Sequence, residues 1–292
     1  FMFGGQYFGI MLGGGGAVFI SGFAGFEGAL DIVATLSLLN LVFVLLFVRD
    51  PYARPDAPRQ AFLLRPLVNR LAGFVGEVYA SFWRSGRGPI LGTAFALLPA
   101  GAMALAYATL STIQVDYGLD ENQIARLQVL NTIAAGAGCL LGGIVSDRIG
   151  AKLMVALGFA ATALVTFALA VQIDQLGLEG LGFGFFHAVI VAHGFCFGAA
   201  YGARNAIFMG MTNPAVAATQ FTAFMGMSNL AVSYGNYWQG IVAERMGYAM
   251  VLYMDAAFAL LVIALVPFLR SREDSMAAQA ARQAVPAPVA GD

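Results

Sequence analysis

Apolar residues run along the chain in blocks of about 20, the length a helix needs to cross a bilayer, and short polar segments separate the blocks. The blocks read as eight helical spans, at about 3–22, 29–48, 89–112, 124–145, 153–172, 182–203, 214–241 and 248–269. They lack the ten-residue alternation of a transmembrane barrel, so the expected class is an all-α integral membrane protein. Two features interrupt the pattern. The segment Asp50 to Gly88 is polar, with prolines at 51, 55, 58 and 66, and the last apolar block gives way after Arg270 to a tail rich in Ala, Gln and Pro. Four parts follow: 1–48 with two spans, 49–88 as a basic connector, 89–270 as a six-helix bundle, and 271–292 as a disordered cytoplasmic tail. Within the connector, Arg65 to Trp83 reads either as an amphipathic helix on the membrane, with Leu67, Leu71, Phe74 and Val78 on its apolar side, or as a solvated linker helix.

Composition agrees: of 292 residues 60% are hydrophobic and 11% charged, where a soluble domain carries about 25% charged residues. Charge distribution sets the topology. With the connector inside, thirteen of the fifteen Lys and Arg residues fall on the inner side and only Arg126 and Arg245 on the outer. The outer loops instead hold Glu27, Asp116, Asp120, Glu121, Asp174, Glu179 and Glu244. The connector and C-terminus are therefore expected in the cytoplasm, with the chain in the cell inner membrane.

An enzyme reading has little support, because the sequence holds no HExxH, GxSxG or Walker-type loop and no Cys/His metal spacing. Gly5, Gly9 and Gly13 serve close helix packing, and the GGGG at 13–16 follows no strand and so is no phosphate cradle. Cys139 and Cys196 sit in apolar runs as packing residues. No cofactor or metal is expected. The expected partners are a small-molecule substrate and the lipid bilayer, with no nucleic acid and no second copy of the chain.

Polar side chains inside the spans are the candidate chemistry, since hydrocarbon penalises them unless they line a cavity or meet partners. They concentrate between Arg204 and Gly240. Thr222, Asn229 and Asn236, spaced by seven and widened by Ser233, form one helical stripe, a candidate substrate wall; Asn205 and Gln220 join it. Arg204 lies at or inside the inner end of the sixth span, where it serves either as a ligand for a carboxylate or phosphate or as an interfacial anchor. His193, eleven residues earlier on nearly the same face, is the candidate for proton exchange, and His187 the weaker one. Pro99 predicts a kink, and Tyr107, Thr109, Thr112, Gln128, Asn131 and Thr132 are further cavity candidates or interhelical hydrogen-bonders. Asp31 and Asp255 read as structural.

The inner loop between the fourth and fifth spans runs Gly143-Ile-Val-Ser-Asp147-Arg148-Ile-Gly150-Ala-Lys152, a candidate gating latch. Gly143 suits close helix contact, Asp147 can accept from a helix N-terminus or pair with a base, and Gly150 suits a tight reversal. This G-x-x-x-D-R-x-G-x-K loop resembles the signature loop of the major facilitator superfamily. The resemblance implies that the spans are helices five to twelve of a twelve-helix fold whose first four lie upstream. Asn213-Pro214 through Thr219-Gln220, Thr222 and Ser228-Asn229-Leu230 resemble the branch of the AmpG muropeptide permeases and the acetyl-CoA transporters. That resemblance implies a proton-driven, alternating-access importer of muropeptide-like anionic sugar-peptides. An acetyl-CoA or other organic-anion transporter of the same fold, or a non-transporting membrane sensor or scaffold, are the alternatives.

Overall fold

In the computed structural model, residues 9–10, 13, 16–47, 64–83, 87–99, 101, 103–213 and 216–269 are described. The greater part of the first span, the connector up to residue 63 and the tail lie outside them. Every described element is helical: α1 (Gly16–Phe47), α2 (Leu64–Trp83), α3 (Arg87–Leu97), a 3-10 turn (Ala104–Ala106), α4 (Ala108–Asp116), α5 (Glu121–Ile149), α6 (Ala151–Leu176), α7 (Phe183–Met211) and α8 (Ala217–Ile263), with a final 3-10 turn at Val266–Phe268. Five stretches among them are long and apolar enough to cross a membrane.

Two differences from the expected spans have clear causes. The third span is not one helix with a kink; it stops at Leu97, and the chain restarts as a 3-10 turn at Ala104, because Pro99 has no amide to donate and Gly101 takes φ +84°. The seventh and eighth spans have no loop between them. Gly247 alone, at φ 81° and ψ 171°, reverses the chain inside α8, in a region of backbone space that only glycine visits without strain. The two arms then lie antiparallel, with Trp238 edge-on to Phe258. Gly150, at φ 89°, makes the equivalent reversal between α5 and α6, as its place in the signature loop predicted.

The bundle is held by α5 on α7, α7 on α6 and α6 on α8. α5 and α7 run parallel at backbone contact. Gly138 and Gly142 on α5 meet the backbone at Phe195 and Ala199, and Gly194 and Gly198 on α7 meet Asn131 and Ala135. A Cβ at any of these four would collide, so these glycines set the helix separation. Gly143, expected to make such a contact, faces open space; its neighbour Gly142 points at α7 instead.

Apolar side chains gather in two layers. One layer includes Leu105, Ile113, Leu127, Leu169, Phe186 and Leu252. The other, on the side expected to face inward, is aromatic, a chain of rings running Phe82, Phe224, Phe208, Phe95 and Phe159 with centroids 5.1–6.3 Å apart. Phe82 belongs to α2, so this helix docks on the aromatic end of the bundle. Val75, Tyr79 and Trp83, at four-residue spacing on α2, remain exposed. The side chains of Leu67, Leu71 and Phe74 lie outside the described set.

Candidate functional site

A cavity of about 280 Å³ opens between the two apolar layers. Four elements line most of it, with Ile10 of the first span adding an apolar side chain. The restarted helix gives Met103, Leu105, Ala106 and Tyr107; α5 gives Gln128, Asn131 and Thr132; α7 gives His193, Phe197, Tyr201 and Arg204; α8 gives Ser228 and Asn229. Irregular backbone is tolerated inside a membrane where it faces a polar cavity, which is where the break after Leu97 lies.

Along α7 the lining residues recur every three to four positions, so they stack as a ladder on one face. The His193 ring lies parallel to Phe197 with centroids 5.8 Å apart, Phe197 lies parallel to Tyr201 at 6.4 Å, and Tyr107 meets Phe197 edge-on at 6.2 Å. Arg204 ends the ladder. Its guanidinium carbon sits 5.9 Å from the Tyr201 ring and 5.3 Å from the Phe208 ring, and the residue is 6% exposed. Because α7 continues to Met211, Arg204 stands seven residues inside the helix end, about 10 Å at 1.5 Å per residue. It therefore lies within the span, and a charge there costs about 2.5–3.5 kcal/mol on insertion scales unless a cavity or partner compensates. The adjoining cavity and the aromatic faces supply that compensation. Tyr107 and Tyr201 stand within its electrostatic reach.

Asn131 is 9% exposed, and its Oδ1 has no hydrogen-bond partner among the described residues. Gly194 leaves the space this side chain occupies. The oxygen is packed against α7 at Gly194 and is not open to the cavity.

Of the residues expected from sequence to bind substrate, Arg204 and Asn229 line the cavity, together with His193. The others stand elsewhere. Gln220 is fully buried near the inner end, where its Oε1 accepts from the Asn213 amide at 2.8 Å and its Nε2 donates to the Ser81 carbonyl at 3.4 Å, fastening α2 to the turn before α8. Thr222 is exposed and donates to the Ala218 carbonyl of its own helix. Asn236 is half-buried nearer the outer end, and Asn205 is fully buried away from the lining, with neither side-chain polar atom partnered among the described residues. A stripe spaced by seven extends about 21 Å along the helix from Thr222 to Asn236, so only its middle member reaches the cavity. His187 bonds to the Phe183 carbonyl at 2.9 Å, outside the lining. In the loop expected to act as a gate, Asp147 and Arg148 are exposed at the C-terminal end of α5, and Lys152 is half-buried in the first turn of α6.

Tyr201 and Phe197 are lining residues that sequence reasoning missed. Their signal was available: both share the face defined by His193 and Arg204.

The family sequence model described as Major Facilitator Superfamily matches residues 91–291, more than half of the chain. The chain belongs to this superfamily. It is a multi-pass membrane protein and a secondary transporter. A search of curated proteins returned no match.

Proposed function

We propose that this transporter imports an anionic sugar-peptide of the muropeptide type across a bacterial inner membrane, driven by protons. The observation that carries the reading is Arg204, buried at the end of an aromatic ladder on the floor of a mid-depth cavity. One guanidinium suits one carboxylate. A coenzyme A thioester, with several phosphates, calls for several bases, and Arg204 is the one Lys or Arg side chain in the described lining. Tyr107, Phe197 and Tyr201 offer flat apolar faces to a pyranose ring, while Asn131, Gln128, Thr132 and Asn229 offer donors and acceptors to hydroxyl and peptide groups. The cavity's 280 Å³ fits one sugar ring with part of a peptide. In an alternating-access fold the facing bundle supplies the rest of the site. His193 is the candidate for proton exchange, and the loop from Gly143 through Asp147, Arg148, Gly150 and Lys152 is the candidate inner gate.

Calorimetry on the purified full-length transporter tests the cargo. Anhydro-muropeptide should bind wild type, and Arg204→Gln should weaken binding at least tenfold while leaving the thermal midpoint within a few degrees. Binding of acetyl-CoA in its place overturns the cargo; binding of neither, by a folded protein, favours a scaffold.

A further inference from the structure

The interrupted helix leaves two broken ends inside the membrane, and α8 supplies a partner to each. At the first end the hydroxyl of Tyr234 donates to the Leu97 carbonyl. At the second, the Ala104 amide donates to Asp255 Oδ2 at 2.7 Å, and the carboxylate also takes a backbone bond from Met103. Asp255 Oδ1 accepts from Gln239 Nε2 at 3.2 Å, and Gln239 Oε1 accepts the Thr109 hydroxyl at 2.8 Å. All three side chains are buried, Asp255 completely. One carboxylate from the second arm of α8 thus caps the restarted helix, and through Gln239 it reaches the first arm and α4. The amides that open the turn have no partner within it, so the ionised carboxylate is the matching acceptor.

The capped segment is the cavity wall: Met103, Leu105, Ala106 and Tyr107 all line it. A bond to an ionised acceptor is roughly twice as strong as one to a neutral acceptor, so the wall is held more weakly when Asp255 carries a proton. The ionisable side chains on neighbouring elements are Lys152 and Asp174 at the two ends of α6, Asp116 at the end of α4, Tyr107, and on α7 His187, His193, Cys196, Tyr201 and Arg204. On α8 itself they are Tyr234, Tyr237, Glu244 and Arg245 on the first arm and Tyr248 and Tyr253 on the second. Among the described residues the carboxylate's hydrogen-bond partners are the Met103 and Ala104 amides and Gln239.

We propose that Asp255 is a positioning residue whose charge fixes the cavity wall through the cap of the interrupted helix, and whose protonation releases that wall. The inference needs the chain to be a transporter but does not depend on its cargo.

The test follows the wall directly. In the full-length transporter carrying Cys139→Ala and Cys196→Ala, a thiol introduced by Ala106→Cys is labelled by a maleimide across a pH series in nanodiscs. Rates are divided by those of Ser233→Cys, on an exposed position of α8, to remove the thiol's own ionisation. The wall thiol should label several-fold faster at low pH along a sigmoid. Asp255→Asn should label at the low-pH rate throughout, and Asp255→Glu should restore a sigmoid. An Asp255→Asn protein that elutes as folded and keeps the wild-type profile overturns the proposal. Should that variant fail to fold, Gln239→Leu keeps the carboxylate but removes one partner, and it should bring labelling at each pH closer to the low-pH rate; an unchanged profile overturns the proposal equally.

Discussion

Two adjacent glycines on α5 should respond in opposite directions to the same substitution. A Cβ added at Gly142 would lie 2.6 Å from the Cα of Ala199 and 2.7 Å from its carbonyl oxygen, both backbone atoms of α7 that cannot swing aside. Reaching the 3.4 Å of ordinary contact requires the two helices to part by about 0.8 Å. Overpacking of this kind costs about 1–3 kcal/mol, and alanine's better helix propensity returns about 0.5–1 kcal/mol. Gly142→Ala should therefore destabilise by about 1 kcal/mol or more. At Gly143 nothing lies within 4 Å of the added atom, so alanine there should keep the propensity gain alone. Thermal unfolding of both variants in detergent reads the difference, at about 2–4 °C per kcal/mol for a bundle of this size. A higher midpoint for Gly142→Ala, or shifts of one sign for both, would refute the packing argument.

Gly247→Ala places a side chain where φ is 81° and ψ 171°, and should cost about 1–3 kcal/mol, read as a lowered unfolding midpoint. Gln220→Leu removes the bonds to the Asn213 amide and the Ser81 carbonyl, a loss of about 1–3 kcal/mol, and hydrogen exchange over 64–83 should quicken as α2 loosens. Trp83, exposed on α2 beside Tyr79 and Val75, should be quenched by lipids brominated near the headgroup once Trp238→Phe leaves it as the sole tryptophan; quenching only by a water-soluble agent would detach α2 from the membrane.

Periodicity was enough to read an all-helical membrane class and the place of most apolar blocks, but not the break after Leu97 or the reversal made at Gly247 without a loop. Sequence also singled out Pro99, but not that the helix would stop there, since whether a proline kinks or ends a helix depends on partners elsewhere: Tyr234 and Asp255 lie more than 130 residues away in sequence. The same limit explains the site. Arg204, His193 and Asn229 were legible because burial of polar groups in a span demands a partner or a cavity. Gln220 obeyed the same rule but satisfied it with Ser81 and Asn213, and composition cannot distinguish those outcomes. Asp255 was read as structural, and its hydrogen bonds agree; what sequence could not reveal is that the structure it supports is the cavity wall.

The most direct test of the account is uptake by the full-length transporter in proteoliposomes, following labelled anhydro-muropeptide under an imposed inward proton gradient, with and without an ionophore, beside Arg204→Gln. The account predicts accumulation that collapses with the ionophore and with the substitution. Accumulation by Arg204→Gln at the wild-type rate, or none by a folded and correctly oriented wild type, would contradict it.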